Sequence, residues 1–130
     1  MTYIQLTTEP YLKKEELTCK CGCNRFNYDK NFLIKWIALR ITFGYAIAIT
    51  SGGRCVKHNQ AEGGVTKSLH ECETKKATAT DCTSQKNDLL YVTACTCGLF
   101  NEVEWHKRDG KDFLHIGCDP KQVGNAFRII

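Results

Sequence analysis

The sequence predicts an α+β domain in which helices flank a small antiparallel sheet. A helix-length apolar pattern at 29–43 is followed by a short β-type run at 45–50. Two further strand-like segments, 102–107 and 112–118, are separated by an Asp-Gly pair, which is a strong hairpin signal. The chain has 130 residues, which suits one compact core better than two. We therefore expect a single domain over residues 1–130.

The first half of the chain predicts one short element, one long helix and one strand. Residues 11–18 are polar and are expected to form a turn or a short helix. Asp29 is suited to cap the start of the long helix, and Gly44 is suited to end it. The expected core positions of this helix are Leu33, Trp36, Ile37 and Ile41. The strand at 45–50 then leads into a glycine-rich segment, 52–68, which we expect to be a long loop.

The second half of the chain predicts a strand, a helix and the hairpin. The strand is expected over Lys76–Cys82, and the helix is expected to begin with Thr83 as its N-cap. The hairpin turn is expected at Arg108–Lys111, which puts His115 in the middle of the second hairpin strand. One face of the sheet can then hold Asp81 and His115 side by side.

Composition and charge exclude several classes of protein. Charged residues make up 25% of the chain and hydrophobic residues 42%, as in ordinary globular domains. No apolar run approaches the roughly 20 residues of a membrane span, and the start Met-Thr-Tyr-Ile-Gln does not look like a secretory signal. We therefore expect a cytoplasmic site of synthesis and no membrane partner.

The net charge is +4, from 18 basic and 14 acidic residues that are spread along the chain. Because there is no basic stripe with interleaved aromatic residues, we expect no nucleic-acid partner. The mild positive charge is compatible with an anionic polymer such as cell wall. We expect a monomer.

Nine cysteines are an unusual number for this length. Cys19, Cys21 and Cys23 form one cluster, and Cys95 and Cys97 form another. Because the number is odd, at least one thiol has no disulfide partner within the chain. Three interpretations remain open: a second, structural zinc site, disulfides formed after release into an oxidising space, and packed free thiols.

Two histidines and an aspartate indicate a divalent-metal hydrolase site. Such a site needs three nitrogen or oxygen ligands around one ion, with a fourth position left for water. His70, Asp81 and His115 can supply this set. Imidazole and carboxylate ligands suit Zn²⁺, which lowers the pKa of a water that it binds to about 7.

A series of short motifs follows in a fixed order along the chain. They are Cys19-Lys-Cys21-Gly-Cys23, Ser51-Gly-Gly-Arg54-Cys55, His58-Asn59, Gly63-Gly64, Ser68-Leu-His70, Ala79-Thr-Asp81 and Phe113-Leu-His115. In this order they resemble the zinc D-Ala-D-Ala carboxypeptidase and L-alanyl-D-glutamate endopeptidase family, whose fold is shared with the Hedgehog signalling domain. The resemblance covers residues 12 to 120, approximately, and is to small phage or prophage members that cleave peptidoglycan stem peptides.

The resemblance implies roles for individual residues. It assigns the same three side chains to Zn²⁺, and it implies that Arg54 contacts a substrate carbonyl or carboxylate. A fixed cation there would stabilise the negative charge that develops when an amide is attacked. In several members the general base lies three residues before the last histidine, a position that Asp112 occupies here. Glu104, on the facing strand of the predicted hairpin, is the alternative base.

The resemblance therefore implies a zinc-dependent peptidase with a peptidoglycan peptide as its substrate, acting on the cell wall after release or as part of a virion. His70 and Asp81 are eleven residues apart, which is longer than the family spacing, so Glu71–Lys76 is interpreted as an insertion. The alternative is a non-catalytic cell-wall-binding or structural phage module with the same fold and a degenerate metal site. A third interpretation is an interaction domain that is stabilised by zinc at the cysteines.

Overall fold

The structure is a computed structural model that describes residues 11–66 and 68–130. The elements, in chain order, are α1 (Lys14–Leu17), α2 (Lys30–Phe43), β1 (Ala48–Ser51), α3 (Val56–Ala61), β2 (Ala79–Thr83), α4 (Asn87–Thr96), β3 (Glu102–His106), β4 (Phe113–Gly117) and β5 (Ala126–Ile129). No helix within the described ranges has the length and apolar character needed to cross a membrane. Residues 1–5, on which the expectation about a secretory signal was based, lie outside the described residues.

The five strands form one sheet in the order β1-β2-β4-β3-β5. The first four are antiparallel neighbours, whereas β5 is parallel to β3. The predicted α+β class, with helices flanking a mainly antiparallel sheet, is therefore confirmed. The parallel edge strand β5 was not predicted.

One face of the sheet packs against the helices. The side chains of Cys82, Val103, Leu114 and Ile116 belong to the buried core on this face. Trp36 of α2 donates a hydrogen bond from Nε1 to Thr80 Oγ1 at 3.1 Å. Because strand side chains alternate between faces, residues between these positions lie on the opposite face, which is where Asp81 and His115 are found.

Helix α2 has the predicted ends. The Asp29 side chain accepts a hydrogen bond from the Phe32 backbone N–H at 2.9 Å and caps the first turn. The helix ends at Gly44, which adopts the left-handed conformation that favours glycine.

The predicted buried face of α2 is only partly correct. Leu33 and Trp36 are buried as expected, but Ile41 is 55% exposed. The buried stripe continues instead through Leu39 and Phe43. These positions follow Trp36 at the helical period, whereas Ile41 falls on the far side of the helix.

Two predicted segments differ from the structure around residues 45–68. The strand expected at 45–50 is shorter and later, because β1 covers Ala48–Ser51. The segment 52–68 contains the helix α3, Val56–Ala61, and is not a continuous loop. The thiol of Cys55 accepts a hydrogen bond from the His58 N–H at 3.3 Å and so caps this helix, a function that sequence patterns seldom assign to cysteine.

The predicted N-cap at Thr83 is wrong. Thr83 is the last residue of β2, where it pairs with Ala48 of β1, and α4 begins later, at Asn87. The predicted hairpin is confirmed, since β3 and β4 are antiparallel neighbours. Its turn contains Asp109 and Gly110, which both have positive φ, at 58° and 76°.

Candidate metal centre

Three predicted ligand atoms converge in the structure. His70 Nε2 lies 3.1 Å from Asp81 Oδ1 and 3.2 Å from His115 Nδ1, and the last two atoms are 3.1 Å apart. For tetrahedral zinc with bonds of about 2.0 Å, neighbouring ligand atoms are about 3.3 Å apart. The three atoms therefore have the spacing of one face of a zinc tetrahedron, and this group can hold a metal ion.

The sheet register positions two of the ligands. Asp81 of β2 and His115 of β4 are direct cross-strand partners. His70 comes from the segment before β2, and its backbone carbonyl accepts a hydrogen bond from the Arg54 N–H at 2.8 Å. The third ligand is thus held by the backbone of the segment that carries Arg54.

Each histidine has a hydrogen-bond partner that fixes its ring. His70 Nδ1 donates to the Gly52 carbonyl at 2.9 Å, which leaves Nε2 with a free lone pair. His115 Nε2 lies 2.5 Å from Glu102 Oε1, which leaves Nδ1 free in the same way. Both rings therefore present a metal-binding nitrogen toward Asp81.

Glu102 was missed by the sequence analysis. It lies two residues before Glu104 on β3 and therefore shares a sheet face with Glu104 and with the ligands. This period-two alternation is the signal that points to Glu102 once the hairpin is predicted. The sequence did not show that the side chain reaches His115 diagonally across the two strands.

The charges around the His-Asp-His triad, formed by His70, Asp81 and His115, favour a cation at its centre. Burial raises the pKa of Asp81, but hydrogen bonds with His115 and His70 outweigh burial and hold this pKa well below its usual range. Burial lowers the pKa of His115, whereas Asp81 and Glu102 raise it more strongly, to about 9. At neutral pH the two carboxylates therefore favour a positive charge, either a proton or a metal ion, beside them.

The long spacing between His70 and Asp81 is absorbed by a compact turn. Glu71 is buried, and its Oε2 accepts hydrogen bonds from the N–H groups of Glu73 and Thr74, both at 2.9 Å. The Glu71 side chain thus closes the turn after His70, and the ligand atoms of His70 and Asp81 remain 3.1 Å apart across this long segment.

Arg54 lies beside the triad. Its Nη2 is 3.3 Å from Asp81 Oδ2, and its Nε donates to Ser51 Oγ at 3.2 Å. The guanidinium therefore binds the Asp81 oxygen that does not face the histidines. The Arg54 side chain is 13% exposed, so one part of it can still meet a substrate.

The two predicted bases lie on different faces of the sheet. Asp112 Oδ1 accepts hydrogen bonds from Asn87 Nδ2 at 3.0 Å and from Trp105 Nε1 at 2.9 Å. Trp105 is the register partner of the core residue Leu114, so these bonds hold Asp112 on the helix side. Asp112 therefore does not point toward the ligands in this structure, and its catalytic role stays a prediction.

Glu104 is the cross-strand partner of His115 and lies on the ligand side of the sheet. Its Oε2 is 2.5 Å from Arg128 Nη2, and its Oε1 is 3.5 Å from His106 Nε2. The structure brings Glu104 next to the candidate ligand His115, but its role as a base also stays a prediction.

A cleft of about 440 Å³ opens beside Arg54 and Asp81. Three cationic side chains line it, those of Lys20, Arg54 and Lys111. Another cavity of about 540 Å³ is lined by none of the predicted site residues. Of these two, only the smaller cleft adjoins the candidate ligands.

Comparison with known proteins identifies the family of this chain. A comparison with curated proteins found no match. The family model described as Peptidase M15 matches residues 10–116, which is most of the chain and includes the three candidate ligands. The chain therefore belongs to the peptidase M15 family of zinc-dependent peptidases.

Proposed function

We propose that this protein is a zinc-dependent peptidase that hydrolyses amide bonds in peptidoglycan stem peptides or cross-links. The observation that carries the proposal is the convergence of the His70, Asp81 and His115 ligand atoms within 3.2 Å of one another. Membership of the M15 family supports peptidase activity. The carboxypeptidase or endopeptidase type, and a phage origin, are parts of the proposal.

The three ligands would hold Zn²⁺ through His70 Nε2, Asp81 Oδ1 and His115 Nδ1. When bound, zinc supplies a Lewis acid and lowers the pKa of its water to about 7. Arg54 holds Asp81 from the other side and presents a permanent cation to the cleft. Its planar fork can bind the scissile carbonyl or a neighbouring carboxylate and stabilise the negative charge that develops on oxygen.

We favour Glu104 over Asp112 as the proton acceptor. Glu104 faces the cleft side of the sheet next to His115, whereas Asn87 and Trp105, which donate to the Asp112 carboxylate, lie on the helix side. An ion pair with Arg128 holds the Glu104 carboxylate on this side of the sheet.

The charge of the cleft supports an acidic peptide as substrate. Lys20, Arg54 and Lys111 contribute three positive charges to its lining, against the carboxylates of Glu62 and Asp81. Asp81 is already engaged by the histidines, so the surplus available to a ligand is positive. Peptidoglycan stem peptides carry free carboxylates that match such a surface.

The non-catalytic alternative is not favoured. It was motivated by the long spacing between His70 and Asp81, but the turn around Glu71 leaves the ligand atoms together. We propose a monomer that reaches the wall after release from the cell or as part of a virion.

The proposal is tested with purified peptidoglycan and with a synthetic peptide ending in D-Ala-D-Ala, by measuring newly released amines. We expect zinc-dependent release by the wild type, none by His70→Ala, and about 10²- to 10³-fold slower release by Arg54→Ala. Asp88→Asn, which alters an exposed acid in α4, is the control and should keep full activity. Amine release by His70→Ala at the wild-type rate would refute the proposal, as would a zinc-loaded wild type that cleaves neither substrate.

A further inference from the structure

Four cysteine sulfurs converge at a place separate from the His-Asp-His triad. They belong to Cys19, Cys21, Cys23 and Cys55, and all four lie within 4.8 Å of one another. The Cys19 and Cys21 sulfurs are 3.5 Å apart, and those of Cys21 and Cys55 are 3.6 Å apart. Tetrahedral zinc with Zn–S bonds of about 2.3 Å places its sulfurs about 3.8 Å apart. The cluster therefore has nearly the size of a tetrathiolate zinc site.

The surroundings of the cluster suit negatively charged sulfur. The Cys55 backbone N–H donates to Cys19 Sγ at 3.3 Å, and the His58 N–H donates to Cys55 Sγ at 3.3 Å. His58 Nδ1 also lies 3.2 Å from Cys19 Sγ. Donors directed at sulfur are the outer partners that orient and stabilise thiolate ligands of a metal.

Ordinary packing does not account for this arrangement. Cys19 and Cys55 are buried, but Cys21 and Cys23 are exposed, so burial of apolar sulfur gives no reason for the last two to be there. The two exposed thiols are instead directed at the two buried ones. A metal ion that draws all four together gives each of them the same function.

We propose that Cys19, Cys21, Cys23 and Cys55 form a second, structural zinc site. Four protein thiolates close the coordination sphere, and a closed site stabilises a fold but leaves no position for water. This proposal does not depend on the proposed peptidase activity, because it concerns a different set of ligands.

The position of the site gives it a specific structural function. Cys55 directly follows Arg54, while Lys20, which lines the same cleft, lies between two of the other ligands. Zinc at the cysteines would therefore join the segment after α1 to the segment that carries Arg54. It fixes one wall of the substrate cleft without taking part in the chemistry.

Zinc content per chain, measured by elemental analysis on protein produced with added Zn²⁺, tests the proposal. We expect two zinc ions in the wild type and one in each of two double variants, Cys21→Ser/Cys23→Ser and His70→Ala/His115→Ala. The control removes the second cysteine cluster, as Cys95→Ser/Cys97→Ser, and should keep two zinc ions. Wild-type zinc content in Cys21→Ser/Cys23→Ser, or no zinc in His70→Ala/His115→Ala, would overturn the proposal.

Cobalt provides a second measurement that does not require the cysteine variant to fold. Co²⁺ added to reduced, metal-free His70→Ala/His115→Ala should give a strong near-ultraviolet thiolate-to-cobalt charge-transfer band that saturates at one ion per chain. The same titration after alkylation of the thiols should give no band. If the unalkylated protein gives no band, or if its cluster cysteines prove to be paired in disulfides in the zinc-loaded protein, the proposal is wrong.

Discussion

Removal of the Glu102 carboxylate should weaken zinc binding at the His-Asp-His triad without removing any ligand. Glu102 Oε1 lies 2.5 Å from His115 Nε2, the length of a strong charge-assisted hydrogen bond. This bond holds the imidazole with Nδ1 directed at Asp81 and makes that nitrogen a better electron donor. In Glu102→Ala the ring loses both effects, so its preferred orientation and its basicity should fall together.

The expected size of the effect follows from this geometry. Loss of an outer carboxylate that supports a metal-bound histidine weakens metal affinity by about 10- to 100-fold. At about 1.4 kcal/mol for each factor of ten, this is about 1.4 to 2.8 kcal/mol. We expect the upper part of this range because His115 is largely buried and the interaction is short. Glu102→Gln can still accept a hydrogen bond from His115 Nε2 and should lose less.

The assay is competition for Zn²⁺ against a chromophoric chelator at one fixed pH, in the Cys21→Ser/Cys23→Ser background so that only the triad is read. Glu15→Gln, which alters an exposed acid in α1, is the control and should bind zinc as the parent does. The order of affinity should be parent, then Glu102→Gln, then Glu102→Ala. Equal affinity of Glu102→Ala and its parent would show that Glu102 does not support the metal ligand.

Two further predictions concern the cleft and the fold. Glu104→Gln should reduce kcat by about 10²- to 10⁴-fold, the usual contribution of a general base, while Asp112→Asn should have a smaller effect. The measurement is amine release by variants whose zinc content is unchanged. A larger loss of kcat in Asp112→Asn than in Glu104→Gln would assign the base to Asp112. Gly52→Ala should lower the free energy of unfolding by about 1 to 3 kcal/mol, because the added Cβ would lie 2.6 Å from the Glu16 carbonyl oxygen and from Leu17 Cα. Denaturant unfolding checks this loss, and an unchanged midpoint and slope would mean that α1 can move away from Gly52 at no cost.

Elements with strong local signals were predicted well. Helix α2 carries the signals for both of its ends in the sequence, Asp29 at the start and Gly44 at the end. The β3-β4 hairpin is encoded in the Asp109-Gly110 pair, which adopts the positive φ values that such turns require. In each case a few neighbouring residues determine the conformation, so the sequence alone suffices.

Elements that depend on distant contacts were missed or misplaced. Thr83 has the chemistry of an N-cap, but its Oγ1 donates to the Asp112 carbonyl at 3.0 Å, and its backbone continues β2. Strand β5 carries only a weak pattern and is defined by parallel pairing with β3. Tertiary hydrogen bonds decide these segments, and a single sequence does not display them.

The candidate site likewise contains some positions that the sequence predicted and others that it did not. Asp81 and His115 were expected side by side because the alternation along two strands places them on one face, and their register confirms this placement. Glu102 and the helix-side position of Asp112 were not expected. The position of Asp112 depends on where its side chain points at the end of a strand, and the contact of Glu102 depends on how far its side chain reaches diagonally across two strands. Alternation alone determines neither.

The sheet fixes the positions of its site residues more firmly than the loops fix the positions of theirs. A cross-strand row on one face contains Ser51, Asp81, His115, Glu104 and Arg128, in successive register across all five strands. A slip of one residue in β2 or β4 would send a charged ligand into the core and an apolar core residue to the cleft. The hydrophobic core therefore fixes the relative positions of Asp81 and His115 as firmly as it fixes the sheet.

His70 and Arg54 have no such protection, because both lie outside the strands. Their backbones bond to each other, with the Arg54 N–H donating to the His70 carbonyl at 2.8 Å, so the two move together. The Gly53 N–H donates to the Leu17 carbonyl at 2.9 Å, which ties this segment to α1. Cys55 would add a further attachment through the proposed cysteine-bound zinc. The proposed structural zinc would thus act at the part of the cleft that the core does not hold by packing alone.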